Sequence, residues 1–129
     1  MFIDSSAIVE ILIDGDEAQL LLGKMAEAPL VCTGPTVIYE AAVVLTTRLR
    51  REPEEMRLLI QKFFSRFGIN VLPASEDIAF AAVDAFSRYG KGRHPARLNF
   101  GDCFSYAGAK GAQIPLLYVG QDFAHTDLA

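Results

Sequence analysis

Four short apolar runs, Met1–Ile3, Leu30–Thr33, Ile69–Leu72 and Leu116–Val119, are separated by longer stretches whose apolar residues recur with helical spacing. This alternation leaves few folds open. Neighbouring parallel strands need a crossover between them, and the helices that supply it must bury their apolar faces on the sheet. The pattern therefore predicts an α/β protein with a mainly parallel sheet covered on both faces. At 129 residues the chain reads as a single domain spanning 1–129, large enough for a real core. It contains no internal repeat, low-complexity stretch or linker.

Local signals set the expected boundaries. The first run stops at Asp4, and Ser5-Ser6 opens a helix over about 5–13 that breaks near Asp14-Gly15-Asp16. A second helix runs to about Ala28, before Pro29. Gly34-Pro35 opens a third through about Leu49, with proline at a tolerated first-turn position. Pro53-Glu54-Glu55 starts a fourth, whose Met56, Leu59, Ile60, Phe63, Phe64 and Phe67 keep an i, i+3, i+4 rhythm until Gly68. Ser75-Glu76-Asp77 caps a fifth helix ending at Gly90. A polar loop over 91–99 leads to a sixth helix from Gly101 to about Lys110, and the tail after the fourth strand reads as irregular or as a last short strand.

Carboxylates stand at the ends of these segments. Asp4 and Asp122 directly follow predicted strands, Asp102 falls in the first turn of a helix, and Glu40 lies one to two turns into another. In open parallel sheets, ligands bind beyond the carboxyl ends of the strands, so all four acids are expected at one edge. Each also has a plain structural role available. Asp4 and Asp102 can cap helices, Asp122 can sit in a turn after Gly120-Gln121, and Glu40 can pair with an arginine. Glu40 interrupts the apolar stretch Val37-Ile38-Tyr39…Ala41-Ala42-Val43-Val44, where a carboxylate is costly unless paired or bound to a cation. Clustered carboxylates repel unless a divalent cation lies among them, which points to metal-dependent chemistry on a phosphodiester. Ser6, two residues after Asp4, can position a water or a carboxylate, or simply cap the helix.

The net charge of −4 is unevenly distributed. Residues 1–47 hold seven acids and one base, whereas residues 48–97 hold ten bases and six acids. The bases Arg48, Arg50, Arg51, Arg57, Lys62, Arg66, Arg88, Lys91, Arg93 and Arg97 could form a cationic rim for a phosphate backbone, or merely solvated helix faces. Half the residues are hydrophobic, which excludes disorder, yet no apolar run approaches the ~18 residues of a membrane span. An acid at position 4 replaces the basic start of a signal peptide, so the expected location is cytoplasmic. Cys32 and Cys103 lack metal-ligand spacing and read as reduced core residues, while His94 and His125 lie outside the acidic motifs.

Three of the acidic motifs, Ile3-Asp4-Ser5-Ser6-Ala7, Leu98-Asn99-Phe100-Gly101-Asp102-Cys103-Phe104-Ser105-Tyr106-Ala107 and Gly120-Gln121-Asp122-Phe123 with Thr126-Asp127, together with Glu40, resemble the PIN-domain ribonucleases. The likeness is greatest to the VapC-like toxins of bacterial type II toxin–antitoxin systems and covers essentially the whole chain. Gln121 stands where asparagine is common in that family. The resemblance implies a three-layer α/β/α sandwich and an endoribonuclease dependent on Mg²⁺ or Mn²⁺. It implies Asp4 and Asp102 as principal metal ligands, with Glu40 and Asp122 completing the cluster. It also implies a toxin homodimer and a small antitoxin covering the site, with an expected approach over Ile8, Ile11 and Leu12. The mean hydropathy of +0.25 agrees with apolar surface reserved for association.

Other sheet-edge acid clusters fit less well. A phospho-receiver domain needs an aspartate after the third strand, where Ile69-Asn70-Val71-Leu72-Pro73-Ala74 has none, and a lysine after the last. A haloacid-type phosphatase needs Asp-x-Asp after the first strand, where position 6 is serine. The remaining alternative is a catalytically silent module of the same fold that holds RNA or a protein.

Overall fold

The computed structural model describes residues 1–129. Its elements in chain order are β1 (Phe2–Ile3), α1 (Ser5–Leu12), α2 (Ala18–Glu27), β2 (Cys32–Thr33), α3 (Pro35–Leu49), α4 (Pro53–Phe67), β3 (Asn70–Val71), α5 (Glu76–Tyr89), α6 (Phe100–Ala112) and β4 (Leu116–Leu117), followed by a 3₁₀ turn at Phe123–His125. The four strands form one parallel sheet in the order β3-β2-β1-β4, and the helices complete a three-layer α/β/α sandwich. Helix, strand and loop follow the expected order throughout. The differences are at the margins: the strands are shorter than the apolar runs, and the tail forms a 3₁₀ turn rather than a strand.

The strand order matters for function. The chain builds outward from β1 through β2 to β3, then returns to place β4 on the opposite side of β1. The direction of winding reverses between β1 and β4, and such a switch point opens a crevice at the carboxyl ends of the strands. Two hydrogen bonds pin that edge: the Asp4 amide donates to the Leu117 carbonyl at 2.9 Å, and the Thr33 side-chain hydroxyl donates to the Ile3 carbonyl at 2.8 Å.

β1, β2 and β4 are buried, whereas the edge strand β3 is exposed. One core of 28 buried residues runs from Phe2, Ile3 and Ile8 through Leu45, Ile60 and Leu98 to Phe123. Ile8 is wholly enclosed in it and is not available to a partner, contrary to the expectation from sequence; Ile11 and Leu12 are half-buried. Both cysteines are free and buried, and no helix is long and apolar enough to cross a membrane.

Helix starts follow their sequence signals. Asp4 caps α1, Pro35 and Pro53 open α3 and α4, and the Ser75 hydroxyl accepts from the Ile78 amide. Close approach of α6 to β1 depends on Gly108, where an added Cβ would lie 2.5 Å from the buried Phe2 ring. Gly108→Val is therefore expected to destabilise the fold by about 1–3 kcal/mol through overpacking. A lowered urea midpoint with an unchanged slope would show it; an unchanged midpoint would mean that this helix–strand contact yields freely.

Candidate active site

Asp4, Glu40, Asp102 and Asp122, the four acids marked by the sequence, line a single pocket of about 360 Å³ at the switch point, together with Ser5, Ser6, Glu10, Arg48 and Asn99. Asp4 is the most enclosed, 2% exposed, and it is fully engaged. One carboxylate oxygen accepts from the Ser105 hydroxyl at 2.6 Å. The other accepts from the Ser6 amide at 3.0 Å and the Ser6 hydroxyl at 2.6 Å. Ser6 in turn accepts the Val119 amide at 3.0 Å, which ties the segment after β4 to the start of α1. Asp4 thus fulfils its capping role and still faces the pocket.

Asp102, 7% exposed, is held by a reciprocal cap. Its amide donates to the Asn99 side chain at 2.9 Å, and its carboxylate accepts the Asn99 amide at 3.0 Å. Burial raises its pKa to about 7. The Asn99 amide opposes that rise, and the charges of Asp4, Asp122 and Glu40 add to it. Three neighbouring acids acting on Asp102 express the repulsion that clustering creates.

Glu40 is half-buried and accepts a hydrogen bond from the Ser5 hydroxyl rather than from an arginine. Its carboxylate lies where a Cβ at position 101 would be, so Gly101 lets it approach the N-terminal turn of α6. The positive end of that helix favours a carboxylate there. Asp122 is exposed and enters from the tail, just after Gly120 in a left-handed conformation (φ 101°). The buried Phe123, packed at a tilt against Tyr118 with ring centroids 5.2 Å apart, anchors the segment that carries it.

Sequence reasoning missed Ser5, Asn99 and Ser105 as supports of the acids. The reciprocal Asn99–Asp102 spacing of three residues could have shown one of them. Ser105 stands 101 residues from Asp4, and no local signal links the two. The broad cationic rim reduces to Arg48, the one base of the ten that lines the pocket. Arg51 pairs with Glu55, Arg88 lies over Tyr89 and near Asp127, and Arg93 donates to the Ser87 carbonyl. Neither histidine lines the pocket; His94 packs edge-on against Tyr89.

The donor set suits a hard divalent cation, because every ligating atom on offer is an oxygen. Asp102, Glu40 and Asp122 each have an oxygen without a protein partner, while Asp4 is steadied by its serines. No three acids, histidines or cysteines converge tightly enough to make an all-protein cage. Such a pocket suits a cation held by one or two carboxylates that keeps its own waters, the usual manner of Mg²⁺.

An acid-lined pocket at the β1–β4 switch point of a small parallel sheet defines the class. The chain belongs to the PIN-domain family, whose family model matches residues 1–128. It is 43% identical over 129 residues to Ribonuclease VapC of Mycolicibacterium smegmatis, covering 100% of this chain and 98% of that one. It is 42% identical over 130 residues to Ribonuclease VapC36 of Mycobacterium tuberculosis, covering 99% and 91%. Among solved structures, Mycobacterium tuberculosis VapC20, described as a sarcin–ricin loop cleaving toxin, superposes with a TM-score of 0.73 at 21% identity, covering 95% and 92%. A toxin–antitoxin complex from Klebsiella pneumoniae gives 0.73 at 19% identity, covering 98% and 92%. At these identities the solved structures bear on the fold alone.

The raised pKa of Asp102 has a definite sign. A carboxyl whose folded pKa lies above its ordinary 3.8 favours the fold below that value, and the benefit is lost as pH rises toward about 7. Without added divalent cation, the wild type should lose stability between about pH 4 and pH 7 relative to Asp102→Asn, which keeps an acceptor for the Asn99 amide but cannot ionise. Denaturant melts of both proteins across that range check this; parallel stability profiles would mean that Asp102 carries no such penalty.

Proposed function

We propose that this chain is an endoribonuclease that hydrolyses RNA phosphodiester bonds with Mg²⁺ or Mn²⁺, acting as the toxin of a type II toxin–antitoxin pair. The observation that carries this reading is the gathering of four carboxylates in one pocket, in a chain about 40% identical over its full length to proteins named as VapC ribonucleases. A merely RNA-holding module gains nothing from four carboxylates that crowd one pocket and repel phosphate. Their retention favours catalysis over the silent alternative.

In this reading Asp4 and Asp102 are the principal cation ligands, and Glu40 and Asp122 complete the charge, directly or through water. A bound divalent cation supplies charge neutralisation at the phosphate and acidification of a water nucleophile. The chain's own residues position everything else. Ser6 and Ser105 fix both oxygens of Asp4, Asn99 orients Asp102, and Ser5 with Gly101 holds Glu40 at the α6 terminus. Cation binding and proton loss are coupled at Asp102, since a ligating carboxylate must be ionised. Arg48, on α3 in the same lining, offers a fixed positive charge to a neighbouring phosphate.

Two partners follow from the same reading. An antitoxin that reaches the pocket with an arginine would satisfy the carboxylates that otherwise hold the cation, and so inhibit by competition. The exposed apolar side chains, among them Phe80, Val83 and Phe86 on α5, are in keeping with a homodimer.

Cleavage of a short RNA should require Mn²⁺ or Mg²⁺ and stop on addition of EDTA. Asp4→Asn and Glu40→Gln should each lower the rate by at least about a hundredfold, an electrostatic contribution of the usual size, while leaving circular dichroism unchanged. Cleavage that persists in EDTA or in both variants would place the activity outside this pocket.

A further inference from the structure

The acidic pocket does not end at Glu40. Beyond it, an apolar groove of about 580 Å³ runs between α3 and the start of α6, lined by Pro35, Thr36, Tyr39, Val43, Phe100 and Gly101. Glu40 and Val44 line both cavities, so the groove adjoins the acidic pocket across these two side chains. Two rings flank the groove and stand in solvent: Tyr39 is 75% exposed and Phe100 74%, more than any other large hydrophobic side chain of the protein. Phe100 packs on Phe104 with ring centroids 5.1 Å apart, which supports it from one side and leaves its outer face open. An aromatic ring left in water beside a catalytic pocket forgoes the stabilisation that burial would bring.

α3 presents the whole arrangement along its length. Tyr39 comes first, Glu40 and Val44 line the pocket, and Arg48, also in its lining, lies two turns beyond Glu40 towards the end of the helix. A cation on one side of the carboxylates and aromatic faces on the other match the two chemistries of a single-stranded nucleic acid, phosphate and base. We infer that Tyr39 and Phe100 form a stacking platform for a nucleobase flanking the scissile phosphate of single-stranded RNA, with Arg48 holding a phosphate on the opposite side. The inference rests on the ribonuclease reading above and adds a substrate subsite to it. Base stacking on aromatic side chains tolerates every base, so the platform favours unpaired RNA without dictating its sequence. A second copy of the chain would fit the groove's apolar walls without using the adjoining acids, and an antitoxin's apolar segment followed by an arginine would use the acids but leave Arg48 without a counter-charge.

The chain has no tryptophan, so Phe100→Trp would introduce a single fluorescent reporter at the platform. In an Asp4→Asn background, which holds cleavage off, titration with a short single-stranded RNA in Mn²⁺ should quench that fluorescence. In the same background, Phe100→Leu and Tyr39→Leu should each weaken RNA binding about five- to a hundredfold. Their slope of log affinity against log salt should stay the same, because no charge is lost. Arg48→Gln should instead reduce that slope by about 0.7. Both ring positions are exposed, so the leucine variants should melt like their parent.

Unchanged RNA affinity in both leucine variants, or an unquenched tryptophan, would overturn the platform even if the wild type cleaves RNA. Unchanged RNA affinity with loss of antitoxin binding, or with dissociation of a dimer in the ultracentrifuge, would assign the groove to a protein and overturn it equally. Quenching and weakened binding in a protein whose wild type cleaves no RNA would uphold the platform and refute the nuclease reading.

Discussion

The Asp4 carboxylate accepts three hydrogen bonds, from the Ser6 amide, the Ser6 hydroxyl and the Ser105 hydroxyl, and much of the acidic pocket's architecture hangs on them. Through them the end of β1, the start of α1 and the middle of α6 share one ion. Ser6 passes the connection on to Val119 beyond β4. A buried carboxylate is tolerable only when such donors replace its lost water, since each unsatisfied bond costs on the order of 1–3 kcal/mol. The chain leaves no buried side-chain polar atom without a partner. The same bonds that make burial of Asp4 affordable fix its position to within a rotamer.

The other acids are held by different means, and the differences suit different tasks. Asp102 sits in a reciprocal cap and is poised with a pKa of about 7, raised chiefly by burial, so a cation can displace its proton near neutral pH. Glu40 depends on a glycine across the interface, because any side chain at 101 would meet its carboxylate. Asp122 is exposed on a segment anchored one residue later by Phe123.

Much of this was legible from the sequence for physical reasons. A strand that ends at an acid and a carboxylate that breaks an apolar helical stripe are local signals, and the parallel topology carries both to one edge. The plain readings of Asp4 and Asp102 as caps were also right; capping and pocket-lining coincide because a helix that starts at the carboxyl edge puts its cap there. What the sequence did not disclose is relational. Ser105 looks like any small helical residue until the fold brings it to Asp4. Arg48 looks like one base among ten until its neighbours turn outward or pair elsewhere. Phe100 reads as part of an apolar motif, and Tyr39 as part of an apolar helix, until their rings are found in solvent. The length of β3 was overstated because Ile69 and Leu72 carry apolar side chains at an edge where only Asn70 and Val71 join the ladder.

Metal dependence is the claim on which the functional reading turns, and it can be measured without any substrate. Four carboxylates around one pocket should bind Mn²⁺ in the folded state only, so millimolar Mn²⁺ should raise the melting temperature of the wild type by mass action. Asp102→Asn should start from a more stable metal-free state and lose most of that rise. Equal shifts in the two proteins, or none in the wild type, would mean that the acids do not hold a cation.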